Sequence, residues 1–260
     1  MVSASMIVIG DEILGGYVVD VNSPLFADRL RANGVEFTRI QVVPDVAADI
    51  DEALQAELGR QGPRLIVTSG GIGSTPDDIT YEAVAASLNR PLVLDAELGS
   101  RIDGAAERAR QRGIEVNEEY VWHITRMARV PEGGRVVTLG EGWTSAVCVD
   151  VDGGLDEGGA TIAILPGVPE LFARLVREVV EPTWLAGRVE PPAVIEIGHR
   201  HPESTLNTTF TQVIHRWPEV KVGSYPGQPT LVRLTGPAEA VAQAAALIEE
   251  AIKTLDESVA

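Results

Sequence analysis

Lysine is nearly missing from this 260-residue chain: 19 of its 21 cationic side chains are Arg, leaving only Lys221 and Lys253. Against 38 acidic residues, the formal net charge is −17. An acidic, Lys-poor surface fits a salt-rich cytoplasm as well as it fits a genome biased toward Arg codons. A surface of that sign repels nucleic acid and anionic lipid at long range, so neither is an expected partner. Any phosphate-bearing ligand has to be held locally. The single cysteine, Cys148, excludes an intramolecular disulfide and a Cys-rich zinc site. It lies in an apolar run (146–149) and reads as a buried core thiol. Aromatics are only 5% of the chain, so a core has to be built from Val, Leu, Ile and Ala. With 45% hydrophobic residues, intrinsic disorder is excluded. No stretch approaches the roughly 20 apolar residues of a membrane span. The first ten residues carry no basic segment and run into Asp11 and Glu12, unlike a secretory signal, so a cytoplasmic location is expected.

Short apolar runs at 4–9, 35–43 and 64–68 read as strands separated by amphipathic helices. Such alternation predicts right-handed crossovers and a parallel sheet. Ligands of these sheets bind beyond the carboxyl ends of the strands, so three loops are expected to meet there: 10–12, 44–45 and 69–78. Asn22-Ser23-Pro24 reads as a helix start with Asn22 capping. Asp45 reads as the cap of a helix to about residue 58, and Thr80 as the cap of one over 80–88. A charged helix is predicted over 95–112. Strands follow at 135–138, 146–152 and 161–165, and Pro166 to Pro169 opens a helix to about 185. The stretch 186–192 reads as a linker, small and charged with two prolines. Domains are therefore expected at 1–186 and 193–260. The second is a small β-α-β-β-α module, with strands at 193–198, 220–224 and 230–235 and helices over 203–216 and 238–255.

The run Ser69-Gly70-Gly71-Ile72-Gly73-Ser74-Thr75-Pro76-Asp77-Asp78-Ile79-Thr80 follows an apolar strand and precedes a helix. Glycines there allow backbone N–H groups to approach an anion, and the helix start adds a favourable dipole. The run is neither a Walker loop nor a dinucleotide fingerprint, so a phosphate cradle and a merely tight turn both remain open. Paired acids beside an anion cradle suggest a divalent cation bridging them to phosphate, and hard oxygen ligands suit Mg²⁺. Helix capping would account for one of the two. In the first loop, Gly10, Asp11 and Glu12 read either as part of the same site or as a solvated turn; Asp20 and Asn22 extend it, Asn22 being explained equally well as a cap. His199 and His201 flank Arg200; a His-x-His pair can bind metal, but no third ligand accompanies it.

These motifs together resemble a known family. Gly10-Asp11-Glu12-Ile13-Leu14 with Gly16, then Asp20 and Asn22, the run Thr68 to Thr80, and Leu165-Pro166-Gly167-Val168-Pro169 are similar to the molybdopterin-binding (MoCF, MoaB/Mog-like) family. The pattern looks most like the N-terminal half of CinA competence/damage-inducible proteins and the similar domain fused to some FAD synthases. The tail is similar to the small KH-like domain of CinA through Glu203-Ser204 and Val222-Gly223-Ser224-Tyr225-Pro226. The resemblance implies a three-layer α/β/α domain with a mostly parallel sheet, plus a small α+β KH-like domain.

It also implies roles. Asp45 and Asp78 match the acids of metal-dependent adenylyl transfer in Mog-type members. Gly70, Gly71, Gly73 and Thr75 match the loop that binds the pterin phosphate, and Gly10, Ser74, Thr80, Pro166 and Gly167 extend the expected ligand site. Asp11, Glu12, Asp77 and Asp78 are the expected metal-side acids. The ligand is expected to be molybdopterin or a nucleotide. In CinA the domain type is associated with metal-dependent ADP-ribose pyrophosphatase activity. One departure stands out: the family's Asn-x-x-Gly-x-Ala-Pro-Gly is replaced here over 138–146. The amidohydrolase domain that CinA proteins often add has no counterpart before Ala260, so nicotinamide-nucleotide deamidation is not expected. The tail has no Gly-x-x-Gly and no basic cluster, so a dimerisation role is expected for it rather than RNA binding, and the chain is expected to form a homodimer.

Overall fold

The computed structural model describes residues 2–140 and 145–259. The chain divides into two compact units, Met1–Val189 and Glu190–Ala260. The first opens with β1 (Ser3–Ile9), the short helix α1 (Asp11–Leu14), α2 (Asn22–Ala32), β2 (Glu36–Val43), α3 (Ala47–Leu58) and β3 (Arg64–Ser69). Next come α4 (Thr80–Ser87), β4 (Leu92–Leu94), α5 (Ala96–Gln111), α6 (Glu118–Arg126) and β5 (Arg129–Pro131). β6 (Arg135–Thr138), β7 (Ser145–Val151), β8 (Ala160–Leu165) and α7 (Pro169–Leu175) complete it, and α7 widens into a π-helical stretch over Val176–Leu185.

The sheet runs β2-β1-β3-β8-β7-β6. The first four strands are parallel, and β7 and β6 are antiparallel additions. Side chains alternate between its faces, as the two-residue period of a strand requires. Met6, Val8, Leu65, Val67, Cys148, Ala163 and Leu165 pack with Phe26, Leu30, Phe172 and Trp184 on one face. Ile7, Ile9, Ile66, Val147, Ile162 and Ile164 pack with Ile50, Leu54, Val84 and Ile102 on the other. β3 is buried along its whole length, which is why it reads as an unbroken apolar run. Cys148 is a core thiol, as expected, and burial pushes its pKa up to about 12. At the amino-terminal end of β3 the buried Glu57 carboxylate meets the buried guanidinium of Arg64 at 3.1 Å, with Arg39 and Arg60 at 3.4 and 3.8 Å.

The second unit contains β9 (Ala193–His199), a 3₁₀ turn at Glu203–Leu206, α8 (Asn207–Arg216), β10 (Lys221–Tyr225), β11 (Thr230–Gly236) and α9 (Ala238–Val259). Its antiparallel sheet has the order β10-β11-β9. Val213, Trp217, Val232, Leu234, Val241, Ala244 and Ile248 make its core. His201 Nε2 lies 2.9 Å from Asp256 Oδ1, while His199 is buried beside it and burial lowers its pKa. Among the described residues no group of three or more His, Cys, Asp or Glu is placed to hold a metal ion, so the His-x-His pair gains no third ligand.

Three expected helix caps are not caps. The backbone of Val21, Val46 and Ile79 occupies the cap positions of α2, α3 and α4, without a side-chain cap in any of them. The N–H groups at the start of α2 are instead satisfied by Asp20 Oδ1, which accepts from Asn22 and Ser23 at 3.0 Å each. α6 and the β4–β5 ladder were not expected from sequence; strands of three residues leave too short a pattern to read. Among the described residues no helix is long and apolar enough to cross a membrane.

Candidate functional site

The site is assembled where the parallel strands end. The Gly10 amide donates to the Val43 carbonyl at 3.1 Å, and the Gly70 amide to the Leu165 carbonyl at 3.2 Å. These bonds carry the pairing of β1 with β2 and of β3 with β8 one residue past the strands. The loops that follow are thereby brought together.

Gly70 and Gly71 both have positive φ, +109° and +65°. A Cβ on Gly70 would lie 2.1 Å from the Ile9 carbonyl oxygen, and one on Gly71 would lie 2.3 Å from Thr80 Oγ1. Glycine is therefore required by both conformation and space. Gly167 packs against the loop from the β8 side, less tightly: its Cβ would approach Gly70 Cα to 3.2 Å. The Thr80 hydroxyl donates to the Gly70 carbonyl at 2.9 Å, and the Thr80 amide to the Gly71 carbonyl at 2.9 Å. Thr80 is fully buried and so braces the loop from behind. Thr75 is also committed within the loop: its amide and hydroxyl donate to Asp78 Oδ2 at 2.9 and 2.5 Å. Of the three hydroxyls expected at the ligand, only that of Ser74 has no partner among the described residues. The amides of Gly71, Ile72, Gly73 and Ser74 likewise find no acceptor among the described residues. Four consecutive N–H groups of half-buried residues, without an acceptor among the described residues, form an array of donors.

Acids surround this array. Asp45 Oδ2 accepts from the Asp11 amide at 3.0 Å. Burial raises the Asp45 pKa, the Asp11 amide bond opposes that rise, and the charges of Asp11, Glu12 and Asp77 add to it. Asp77 is exposed, and its carboxyl is held below the usual range by hydrogen bonding with Thr75 and its own backbone N–H. Asp78 neither caps α4 nor takes part in the Asp45 cluster. Both of its contacts use Oδ2, which leaves Oδ1 outside the loop's own hydrogen bonds. Asp11, Glu12, Asp77 and Asp78 do not close into a compact cage.

One residue joins the site that the sequence did not single out for it. Arg126, at the end of α6, donates through Nη2 to the Asp78 carbonyl at 2.8 Å and through Nη1 to the Thr75 carbonyl at 3.3 Å. Its Nη2 also lies 3.0 Å from Glu82 Oε1. It clamps the glycine-rich loop by its backbone. Ser69, the last residue of β3, accepts from Asn22 Nδ2 at 2.9 Å. Pro166 and Gly167 approach from the end of β8, and the Gly167 carbonyl accepts from the same Asn22 nitrogen at 2.8 Å. The altered loop over 138–146 has residues 141–144 outside the described residues.

Comparison with known proteins gives a consistent likeness. The family described as "Probable molybdopterin binding domain" matches residues 5–186. A "CinA-like protein" of Mycobacterium sp. (strain JLS) is 38% identical over 192 residues, 72% of this chain and 44% of its own length. A protein of Aeropyrum pernix is 32% identical, covering 97% of this chain and 91% of its own. Among solved structures, the protein CinA "with unknown function" from Thermoplasma acidophilum superposes with a TM-score of 0.56 at 27% identity, covering 69% of this chain and 96% of that one. The chain spans less than half the length of the CinA-like relatives it matches.

Proposed function

The chain belongs to the molybdopterin-binding domain family, with CinA-like relatives, and from that premise we propose that it binds a small phosphorylated ligand, a pterin or a nucleotide, together with a divalent metal such as Mg²⁺. The observation that carries this reading is the run of four amides, Gly71 to Ser74, without an acceptor among the described residues, set among acids at the end of the parallel strands. In it the ligand's phosphate accepts from these amides and from the Ser74 hydroxyl. Gly10, Gly70, Pro166 and Gly167 supply the close-packed backbone, and Thr75 and Thr80 hold its shape. Carboxylates this near would repel a phosphate by themselves, so Asp45, Asp77 and Asp78 Oδ1 serve as oxygen ligands or as anchors for metal-bound water, with Asp11 and Glu12 adding negative potential. When bound, the metal would neutralise charge developing on a phosphoanhydride. The reaction class is phosphoanhydride cleavage of the ADP-ribose pyrophosphatase kind, with Mog-like adenylyl transfer differing only in whether water or a ligand phosphate attacks.

A second reading is a protein that binds the same ligand without turning it over. It is favoured by the acids' failure to close into a metal cage among the described residues. The test is a Mg²⁺-supplemented screen of ADP-ribose, FAD, NAD and ATP, read by mass spectrometry, beside calorimetric titration of the same compounds. Cleavage of one of them supports the first reading. Binding without cleavage supports the second, and neither binding nor cleavage rejects both. The oligomer proposed is a homodimer, with the second unit as its pairing module; a monomeric mass by light scattering would reject it.

A further inference from the structure

Arg126 ends α6, where a cation suits the negative end of a helix. No residue of α6 is fully buried, and the end of the helix is tied to the glycine-rich loop by hydrogen bonds. The guanidinium is held on three sides. Nε and Nη2 donate to Glu82 Oε1, in the first turn of α4, at 3.2 and 3.0 Å. Nη2 and Nη1 donate to the carbonyls of Asp78 and Thr75 at 2.8 and 3.3 Å. The Trp122 ring, one helical turn back, lies 5.6 Å from Cζ, within cation–π range. Four of the five N–H groups are thus spent inside the protein. The segment that Arg126 grips is closed on itself. The Asp78 amide donates to the Thr75 carbonyl at 3.1 Å, and Asp78 Oδ2 accepts from the Thr75 amide and hydroxyl. This turn abuts the donor array, because a Cβ on Gly73 would lie 2.6 Å from Asp78 Oδ2. Contacts therefore run from α6 through Arg126 and the 75–78 turn to the array of amides.

We propose that Arg126 is a positioning residue for the phosphorylated ligand, with Glu82 as the residue that holds it in place. Its planar fork fixes the 75–78 turn, and the turn fixes Gly73. The amide array is kept in shape for an anion without the guanidinium touching that anion. Lysine cannot take over the part, because one ammonium does not face two carbonyls and a carboxylate at once. The inference rests on the phosphate reading above and adds to it how the shape of the loop is set from outside the loop.

The variants are Arg126→Met, Arg126→Lys, Glu82→Ala and Glu82→Gln, each checked for folding by thermal melting. Amide hydrogen exchange, followed by NMR without ligand, reads the order of the loop at the bonded amides of Thr75 and Asp78, with Val67 and Ile164 in the sheet as references. Calorimetry with Mg²⁺ reads affinity for ADP-ribose, FAD, NAD and ATP. Arg126→Met should speed exchange at Thr75 and Asp78 at least ~10-fold with the references unchanged. It should weaken the compound that wild type binds most tightly at least ~10-fold. Arg126→Lys should lose nearly as much, and Glu82→Ala should move both readings in the same direction. Glu82→Gln keeps an oxygen acceptor for the guanidinium and should bind as wild type does. If Arg126→Met does not fold, the two Glu82 variants carry the test. Weakened binding with loop exchange unchanged would make Arg126 a direct ligand of the anion and overturn the positioning role. Wild-type affinity in Arg126→Met or in Arg126→Lys would overturn it too, and either result leaves the phosphate reading intact. A wild-type chain that binds none of the four compounds overturns the phosphate reading, and the positioning role with it.

Discussion

The Asp45 carboxylate accepts a hydrogen bond from the backbone N–H of Asp11 at 3.0 Å, across 34 positions of sequence. This bond joins the loop after β1 to the loop after β2 and places an acid among acids. The folded state raises the Asp45 pKa, first by burial and then by the charges of Asp11, Glu12 and Asp77. A carboxyl whose pKa is higher in the folded chain favours folding when protonated. That contribution is present below the unfolded value near 3.8 and is lost as pH rises through the folded value. Above it, ionised Asp45 is a net burden that a cation would relieve. Asp45→Asn keeps an acceptor for the Asp11 amide and removes the charge. At pH 7 without divalent metal it should raise Tm slightly, by about 1–2 °C. The stabilisation of wild type by Mg²⁺ should be reduced or absent in the variant. Thermal melts with Mg²⁺ and with EDTA check both; a variant stabilised by Mg²⁺ as strongly as wild type would remove Asp45 from the metal's surroundings.

Gly70 carries the tightest backbone approach in the site. Gly70→Ala would bring a Cβ to 2.1 Å from the Ile9 carbonyl oxygen, and a strand backbone in the middle of a parallel sheet cannot yield. The loss should be about 3 kcal/mol or more, beyond the roughly 1–2 kcal/mol of a left-handed alanine. Gly62→Ala is the matched control: its φ is +88° but nothing lies within 4 Å of the added carbon. It should show the conformational cost alone. Urea denaturation of the two variants measures the difference, and equal losses would mean that the Ile9 carbonyl moves aside.

The meeting of three loops at one sheet edge was legible because it follows from strand order and chain direction. The capping roles of Asn22, Asp45 and Thr80 were misread for a common physical reason. Cap preferences are local, counted over three or four residues. Each of these side chains has a partner the count cannot see: Asn22 reaches Ser69 and Gly167, Asp45 the Asp11 amide, Thr80 the Gly70 carbonyl. Polar residues at element ends compete between a cap and a tertiary bond, and in this site the tertiary bond wins every time. Arg126 was invisible because it acts on carbonyl oxygens, which every residue has. The apolar strands read correctly because two-sided burial imposes a composition.

Far from the ligand site, Glu57 tests the amino-terminal end of the sheet. Its fully buried carboxylate faces the guanidinium of Arg64, whose pKa burial lowers, with Arg39 and Arg60 beside it. Glu57→Gln leaves a buried Arg without its counter-charge. A loss of about 3–5 kcal/mol is expected, as for breaking a buried pair from one side. Ligand affinity of the folded fraction should be unchanged. Denaturation with calorimetry on the same samples checks both parts; a loss under 1 kcal/mol would mean that water reaches the guanidinium.

Asp78 is where loop shape and charge must be separated, because its carboxylate serves both. Oδ2 accepts from the Thr75 amide and hydroxyl, a contact that an amide oxygen can make as well. Asp78→Asn should therefore preserve the turn, the melting temperature and the arrangement of the four free amides. What it removes is the full negative charge at Oδ1, so metal-dependent cleavage of the best substrate from the screen should fall by roughly 10²-fold. Asp78→Ala removes the acceptor too. It leaves the Thr75 amide and hydroxyl without partners, loosens the loop that Arg126 clamps, and should weaken binding of the phosphorylated ligand as well as turnover. Asp28→Asn, on the exposed side of α2, should do neither. The pair of outcomes matters more than either alone. Loss of turnover in both variants, with loss of binding only in the alanine, assigns the charge to chemistry and the acceptor to loop geometry. Wild-type turnover in Asp78→Asn would reduce Asp78 to a residue that shapes the turn.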